Sequence, residues 1–390
     1  MASGGGGVSV VPSSPVRPAG SGAVDGRREP LGPDPATVQA PGLPATATRE
    51  PDPAPEPESE NRGEGFGSLA ARFKRPETLV SFGIAAAIVV FFVRGLDIDA
   101  GDVWANVRQV NPFLYALSLV VFYLGFIWRA LRWRMMLGQT GIDAAHGYRL
   151  PNIAGLIEIY LLSWFANCLV PAKLGDAYRA FLLKKDSGAP FSTTVGTILA
   201  ERLVDLVVLF LTMGVVGVAV FGSHLPGAAE QSLVFGVALM IVGLVGLGVM
   251  WWARDALARR VPARWQDQYA RLHDAVFASL RRPAPSVLAS LLIWLGDGLR
   301  LWFVALALGA DVGLGTAVFV ALMSALLTTV PFTPAGLGFV DVAMIGVLKL
   351  VGVDAAMAGS VALLDRVIGY WSIILLGMVL YARRARRDVR

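Results

Sequence analysis

Pro171-Ala172-Lys173-Leu174-Gly175 and Pro334-Ala335-Gly336-Leu337-Gly338 agree at four of five positions and lie 163 residues apart. Each string interrupts an apolar stretch. Proline lacks a backbone N–H and glycine permits sharp turns, so each string predicts a broken helix in place of a continuous span. Nearly the same distance separates Glu201-Arg202 from Asp365-Arg366, each in the apolar segment just after its break. Read alone, a Pro/Gly string is also compatible with a simple kink. The recurrence of the acid–arginine pair at the same offset favours an internal repeat.

Outward from these breaks, apolar segments run over 78–93, 112–128, 153–170, 197–221, 232–252, 285–309, 316–330, 339–352 and 355–381. A crossing helix needs about 20 apolar residues, and the pieces beside the two breaks are short or interrupted. Basic residues set the orientation. Arg72, Lys74 and Arg75 precede the first segment, and Arg129, Arg132, Arg134 and Arg149 follow the second. Seven arginines lie in 253–284 and five after Tyr381. The links 222–231 and 310–315 hold no Lys or Arg, and 94–110 is net acidic. The positive-inside rule puts the basic sets in the cytoplasm and the other links outside.

Were 153–170 an ordinary span, Lys184 and Lys185 would land outside, and the seven-arginine loop would follow them. The signs agree only if 153–185 enters and leaves from the cytoplasm and 316–352 does the same from outside. The expected fold is therefore an all-α polytopic membrane protein. It has six full spans plus two re-entrant broken-helix hairpins, arranged as an inverted repeat of halves at about 75–225 and 230–385. Both termini are expected in the cytoplasm, in a multi-pass protein of the cell membrane.

Composition agrees. Of 390 residues, 55% are hydrophobic and 16% charged, against about 25% charged in soluble domains, and the mean hydropathy is +0.59. A soluble fold is excluded. Residues 1–70 are expected to be a disordered Gly/Pro-rich tail ahead of a transmembrane domain at 71–390, because 13 of the 23 prolines fall in the first 76 residues and large apolar residues are almost missing before Phe66. The start has neither the basic nor the apolar stretch of a secretory leader. The net charge of +5 sits at the ends of apolar segments, which is a topology signal and does not imply nucleic acid.

A search for chemistry yields no enzyme. Cys168 is the one cysteine, so neither a disulfide nor a cysteine metal site forms. His146, His224 and His273 are scattered, and there is no phosphate-binding loop, dinucleotide fingerprint or His-Glu-x-x-His. No catalytic residue, cofactor or metal is expected. Asp97-Ile98-Asp99 reads as a solvated turn.

Charges within the apolar segments carry the functional signal: Asp176 and Arg179 after the first break, Glu201, Arg202 and Asp205, Asp297 and Arg300, and Asp365 and Arg366. Each costs about 2.5 to 3.5 kcal/mol near the bilayer centre without a partner. Glu201 and Asp205 share a helix face by their spacing, as do Asp297 and Arg300. The adjacent pairs point about 100° apart and must seek partners on other segments. The acids fit either interhelical salt bridges or a ligand site, whereas arginine forks suit a phosphate.

The string from Asn167 through Pro171, Lys173, Gly175 and Asp176 to Arg179 is the first part of a wider resemblance. With Glu201-Arg202-x-x-Asp205, Pro331-x-x-Pro334-Ala335-Gly336-Leu337-Gly338-x-x-Asp341 and Asp365-Arg366, it resembles the lysylphosphatidylglycerol synthase transmembrane family, the flippase-like UPF0104 type, over about 75–385. Cys168, Lys173, Ala335 and Asp341 depart from the family's usual Asn, Arg, Gly and Glu. The resemblance implies a flippase-like transporter that moves a phospholipid, aminoacylated phospholipid or polyprenyl-linked lipid between leaflets. Full-length relatives carry a soluble aminoacyl-transferring domain after the membrane part, and the chain is expected to lack it and to be no synthase. The implied lipid site comprises Asn167, Pro171, Lys173, Gly175, Asp176, Arg179, Glu201, Arg202, Asp205, Asp297, Arg300, Pro334, Gly336, Gly338, Asp341, Asp365 and Arg366, with a membrane lipid of anionic headgroup as partner. Two other readings stay open: a lipid-binding accessory to a membrane-associated glycosyltransferase or synthase, and a membrane-embedded lipid-modifying enzyme.

Overall fold

In a computed structural model the described residues are 99–169, 174–222, 227–328, 336 and 338–388. The expected tail, the apolar segment 78–93 and the site residues Pro171, Lys173 and Pro334 lie outside them. Among the described residues all regular structure is helical.

A short helix α1 (Ala100–Arg108) begins where the Asp99 side chain accepts from the Gly101 amide at 2.7 Å, so the acid turn is a helix cap. The long α2 (Pro112–Gln139) starts with proline in its first turn, and Asn111 caps the Phe113 and Leu114 amides. Then come α3 (Ile153–Leu169), α4 (Leu174–Ser187), α5 (Phe191–Phe221), α6 (Gly227–Trp252), α7 (Arg254–Arg260) and α8 (Ala263–Ser279). The chain ends with α9 (Pro283–Ala307), α10 (Leu314–Leu327), α11 (Phe339–Leu350), α12 (Ala355–Arg366) and α13 (Ser372–Asp388). A π turn, Val367–Trp371, joins the last two, so they run as one long helix.

Five helices among the described residues are long and apolar enough to cross a membrane: α2, α5, the Leu233–Trp252 part of α6, α9, and Ala355–Arg387. At 28 residues α2 is about 42 Å long, ample for a core about 30 Å thick. By contrast α3, with 17 residues, reaches about 25 Å and α10, with 14, about 21 Å. These two are the short apolar helices beside the breaks.

The helices pack around a core of Phe122, Phe126, Trp133, Leu156, Ile159, Tyr160, Phe319, Leu322 and Ile368. Outside it the surface is also apolar: Leu211, Val215, Val242, Trp252 and Leu375 are all exposed. Such a surface is stable against lipid and costly against water.

One ion-pair cluster fixes the course of the first broken helix. Arg384 near the end of α13 bonds Asp186 at the end of α4 and also lies 3.9 Å from Glu158 in the second turn of α3. The start of α3 and the end of α4 therefore sit together, and the two helices form a hairpin.

Candidate functional site

The hairpin is closed at its tip by one glycine. Asn167 Oδ1 accepts from the Gly175 amide at 2.8 Å, and Ser163 Oγ donates to the Gly175 carbonyl at 2.8 Å. A β-carbon on Gly175 would stand 2.0 Å from the Ser163 carbonyl oxygen, so no other residue lets α3 and α4 approach this closely. The second hairpin uses different chemistry. Gly338 has φ +82, in the left-handed region, and its amide donates to Asp341 Oδ2 at 2.9 Å at the start of α11. Gly336 is buried beside it with φ +71.

Each break is followed by a carboxylate that takes an arginine from the next long helix. Arg202 donates to Asp176 through Nε at 3.0 Å and Nη2 at 2.7 Å, a two-pronged pair. Arg366 donates to Asp341 through Nε at 2.8 Å and again through Nη2. These pairs are partly open, with the Arg202 side chain 42% exposed and Asp341 21%.

The neighbouring acids point the other way into a sealed cluster. Glu201 accepts from Arg179 Nη2 at 2.9 Å and from the Tyr160 hydroxyl at 2.9 Å, with Arg132 Nη2 at 3.0 Å. The Arg179 guanidinium lies between the Trp133 and Tyr160 rings, 4.6 and 4.4 Å from their centroids. Arg132 also donates to Asp205 through Nη2 at 3.0 Å, and Ser290 Oγ donates to the same carboxylate at 2.9 Å. Thus Glu201 and Asp205 do share a face, through one arginine.

A second chain of charges crosses from α2 to the last long helix. Arg129 Nη2 donates to Asp297 at 3.0 Å and rests against Trp164 at 4.9 Å. Asp297 lies 4.0 Å from Arg300, three residues on, and Arg300 bonds Asp365. Arg129 Nη1 and the Nε groups of Arg132, Arg179 and Arg300 are buried without an acceptor among the described residues. They are spare N–H donors in a low-dielectric interior, where an anionic oxygen would be strongly held.

The profile of the lysylphosphatidylglycerol synthase TM region matches residues 78–377. The chain belongs to this family. A UPF0104 membrane protein of Methanocaldococcus jannaschii is 34% identical over 221 residues, covering 56% of this chain and 93% of the relative. A second UPF0104 membrane protein, from Pyrococcus horikoshii, is 21% identical over 338 residues, or 79% of this chain and 97% of the relative. The glycosyltransferase AglD of Haloferax volcanii is 24% identical over 340 residues, which is 76% of this chain but only 53% of that protein. This member of the lysylphosphatidylglycerol synthase TM family is thus a multi-pass helical membrane protein.

Arg129 and Arg132 need correction as topology markers. The sequence reading placed both in the cytoplasm beyond the second span, yet α2 extends to Gln139, and both are buried in the charge network. Arg134 and Arg149 remain exposed. The overlooked signal is the spacing: Arg129 and Arg132 are three apart, as are Asp297 and Arg300 at a constant offset further on. Tyr160 and Ser290 carried no sequence signal, since an isolated Tyr or Ser in an apolar run is unremarkable.

Proposed function

We propose that this protein moves a phosphate-bearing lipid between membrane leaflets, with its headgroup handed between the Arg202–Asp176 and Arg366–Asp341 pairs. What carries the reading is the repetition: each break supplies a carboxylate to the arginine of an acid–arginine doublet in the following helix, and these two pairs are more open than the cluster around Glu201. The underlying architecture is six spans and two re-entrant hairpins in inverted halves. Arg384, which gathers both ends of the first hairpin, supports that topology. Further support comes from the matched offsets of Arg129 with Asp297, Arg132 with Arg300, and Glu201 with Asp365. In such a fold broken helices line a polar path near the midplane.

Transfer works by exchange of partners. A phosphate displaces the carboxylate from an arginine fork, and the pair closes again when the headgroup leaves, so no charge is stranded in the bilayer. The arginines present two parallel donors to phosphate oxygens. Energy comes from a gradient or from simple equilibration, and the cytoplasmic face carries both termini.

The test is lipid flipping in proteoliposomes. Arg202→Ala and Arg366→Ala are expected to abolish movement of a labelled phospholipid while leaving an extractable, folded protein. Flipping that survives both changes would remove the phosphate role of these arginines. A second reading, a lipid-holding accessory of a glycosyltransferase, is favoured by the match to AglD, of which this chain covers 53%. It expects lipid binding in the same assay with no transfer at all.

A further inference from the structure

A cleft of about 840 Å³ lies apart from the charge network, where α2 and α6 end and α5 begins. Gly138 and Gln139 of α2, Thr193 of α5 and Trp251 of α6 form its rim, and α8 forms its floor. Three arginines face it, Arg254, Arg271 and Arg281, against a single carboxylate, Asp274, which Arg254 holds at 3.2 Å. We propose that this cleft is a binding site for a phosphate group.

Two independent features point to an anion. First, α5 opens on the cleft with no side-chain cap, since its N-cap is Pro190. Its first-turn amides and the positive end of its dipole favour negative charge, and Arg271 Nε is fastened there by donating to Ser192 Oγ at 3.4 Å. Second, the His273 side chain in the wall is only 7% exposed and half satisfied. Its Nδ1 lies 3.1 Å from Asp274 Oδ1, whereas Nε2 is buried without a partner among the described residues. With Nδ1–H given to Asp274, protonation at Nε2 adds a second donor, and an anion in the cleft favours that protonation. Three guanidinium groups, a helix start and an unsatisfied imidazole make a phosphate site in which hydrogen-bond donors outnumber acceptors.

The phosphate has two possible sources. Trp251 on the rim is 69% exposed, as suits an aromatic residue at the membrane–water boundary, which would bring an anionic lipid headgroup within reach. A soluble phosphate compound would enter from the aqueous side.

The full chain in phosphatidylcholine nanodiscs, titrated with inorganic phosphate, and the full chain in nanodiscs containing phosphatidylglycerol separate the two, with the melting temperature as readout. A rise with inorganic phosphate assigns a soluble source, and a rise only with phosphatidylglycerol assigns the headgroup. The R271Q/R281Q variant alters two exposed side chains, so it should fold, and its apparent affinity should fall at least about tenfold, as expected for lost charge-assisted hydrogen bonds. His273→Ala is expected to weaken binding as well. The R259Q/R260Q variant removes the same charge from neighbouring α7, outside the cleft, and should respond like the unmodified chain. No shift in either series, or equal loss in both double variants, would overturn the site. None of these readouts involves lipid transfer, so the result stands or falls apart from the proposed transport.

Discussion

Arg132 and Arg202 sit one helix apart in the same network but differ in what their removal leaves behind. Arg132 is buried and holds both Glu201 and Asp205. Arg132→Ala is expected to lower stability by about 3 to 5 kcal/mol, the cost of an uncompensated buried charge. Adding Asp205→Asn should restore part of it, and thermal unfolding in micelles reads both. Arg202 is half open, so Arg202→Ala should cost about 1 kcal/mol or less while removing transport. The opposite order, a large loss for Arg202 and a small one for Arg132, would reverse the roles given to the open pair and the sealed cluster. Gly175→Ala is a harsher change. Its β-carbon would overlap the Ser163 carbonyl, and the expected loss is about 3 kcal/mol or more, visible as poor recovery of folded protein. Asp143, in the loop after α2, is held below the usual carboxylate range by its hydrogen bond with His146.

At the scale of elements, the first hairpin is defined by side chains at both ends: Asn167 and Ser163 at the tip, Arg384 at the base. The base contact places Ser187 near the end of α13, and re-entry places it on the same membrane face as His146. In a Cys168→Ser background, His146→Cys and Ser187→Cys should react with an impermeant thiol reagent from one side, and Asp311→Cys from the other. Labelling of His146→Cys and Ser187→Cys from opposite sides would show that the α3–α4 pair crosses the membrane. The π turn at Val367–Trp371 directly follows Asp365 and Arg366. It widens the helix there and presents the Tyr370 hydroxyl, which donates to the Cys168 carbonyl at 3.2 Å near the end of α3. An exposed carbonyl at one break is thus satisfied from the opposite half, as a bilayer interior demands.

For the whole molecule, the family match begins at residue 78, which predicts that the Gly/Pro-rich tail is dispensable for folding. Removing residues 1–65 should leave membrane yield and melting temperature unchanged, and loss of folded protein on truncation would refute this. Among the described residues, Arg129, Arg132, Arg179, Arg202, Arg300 and Arg366 are matched by Asp176, Glu201, Asp205, Asp297, Asp341 and Asp365. A balanced network lets many charges stay in an apolar bundle, and it makes partner exchange the natural way for a charged ligand to enter.

The sequence alone determined that the chain is a helical membrane protein, because helix length and apolar run length are local quantities, and 28 apolar-rich residues after an Asn-Pro start form a helix in any context. It also marked the breaks and the doublets Glu201-Arg202 and Asp365-Arg366, since Pro, Gly and membrane-embedded charges are conspicuous by type. That adjacent acid and arginine would face different partners followed from helical geometry. Which partners they meet was decided only in three dimensions. Arg132 reads as an end-of-span charge until α5 and α9 bring Glu201, Asp205 and Ser290 around it. The cleft beside His273 likewise assembles from residues on four helices and one loop. A charge's environment depends on which segments pack against it, and long-range packing leaves no trace in local composition.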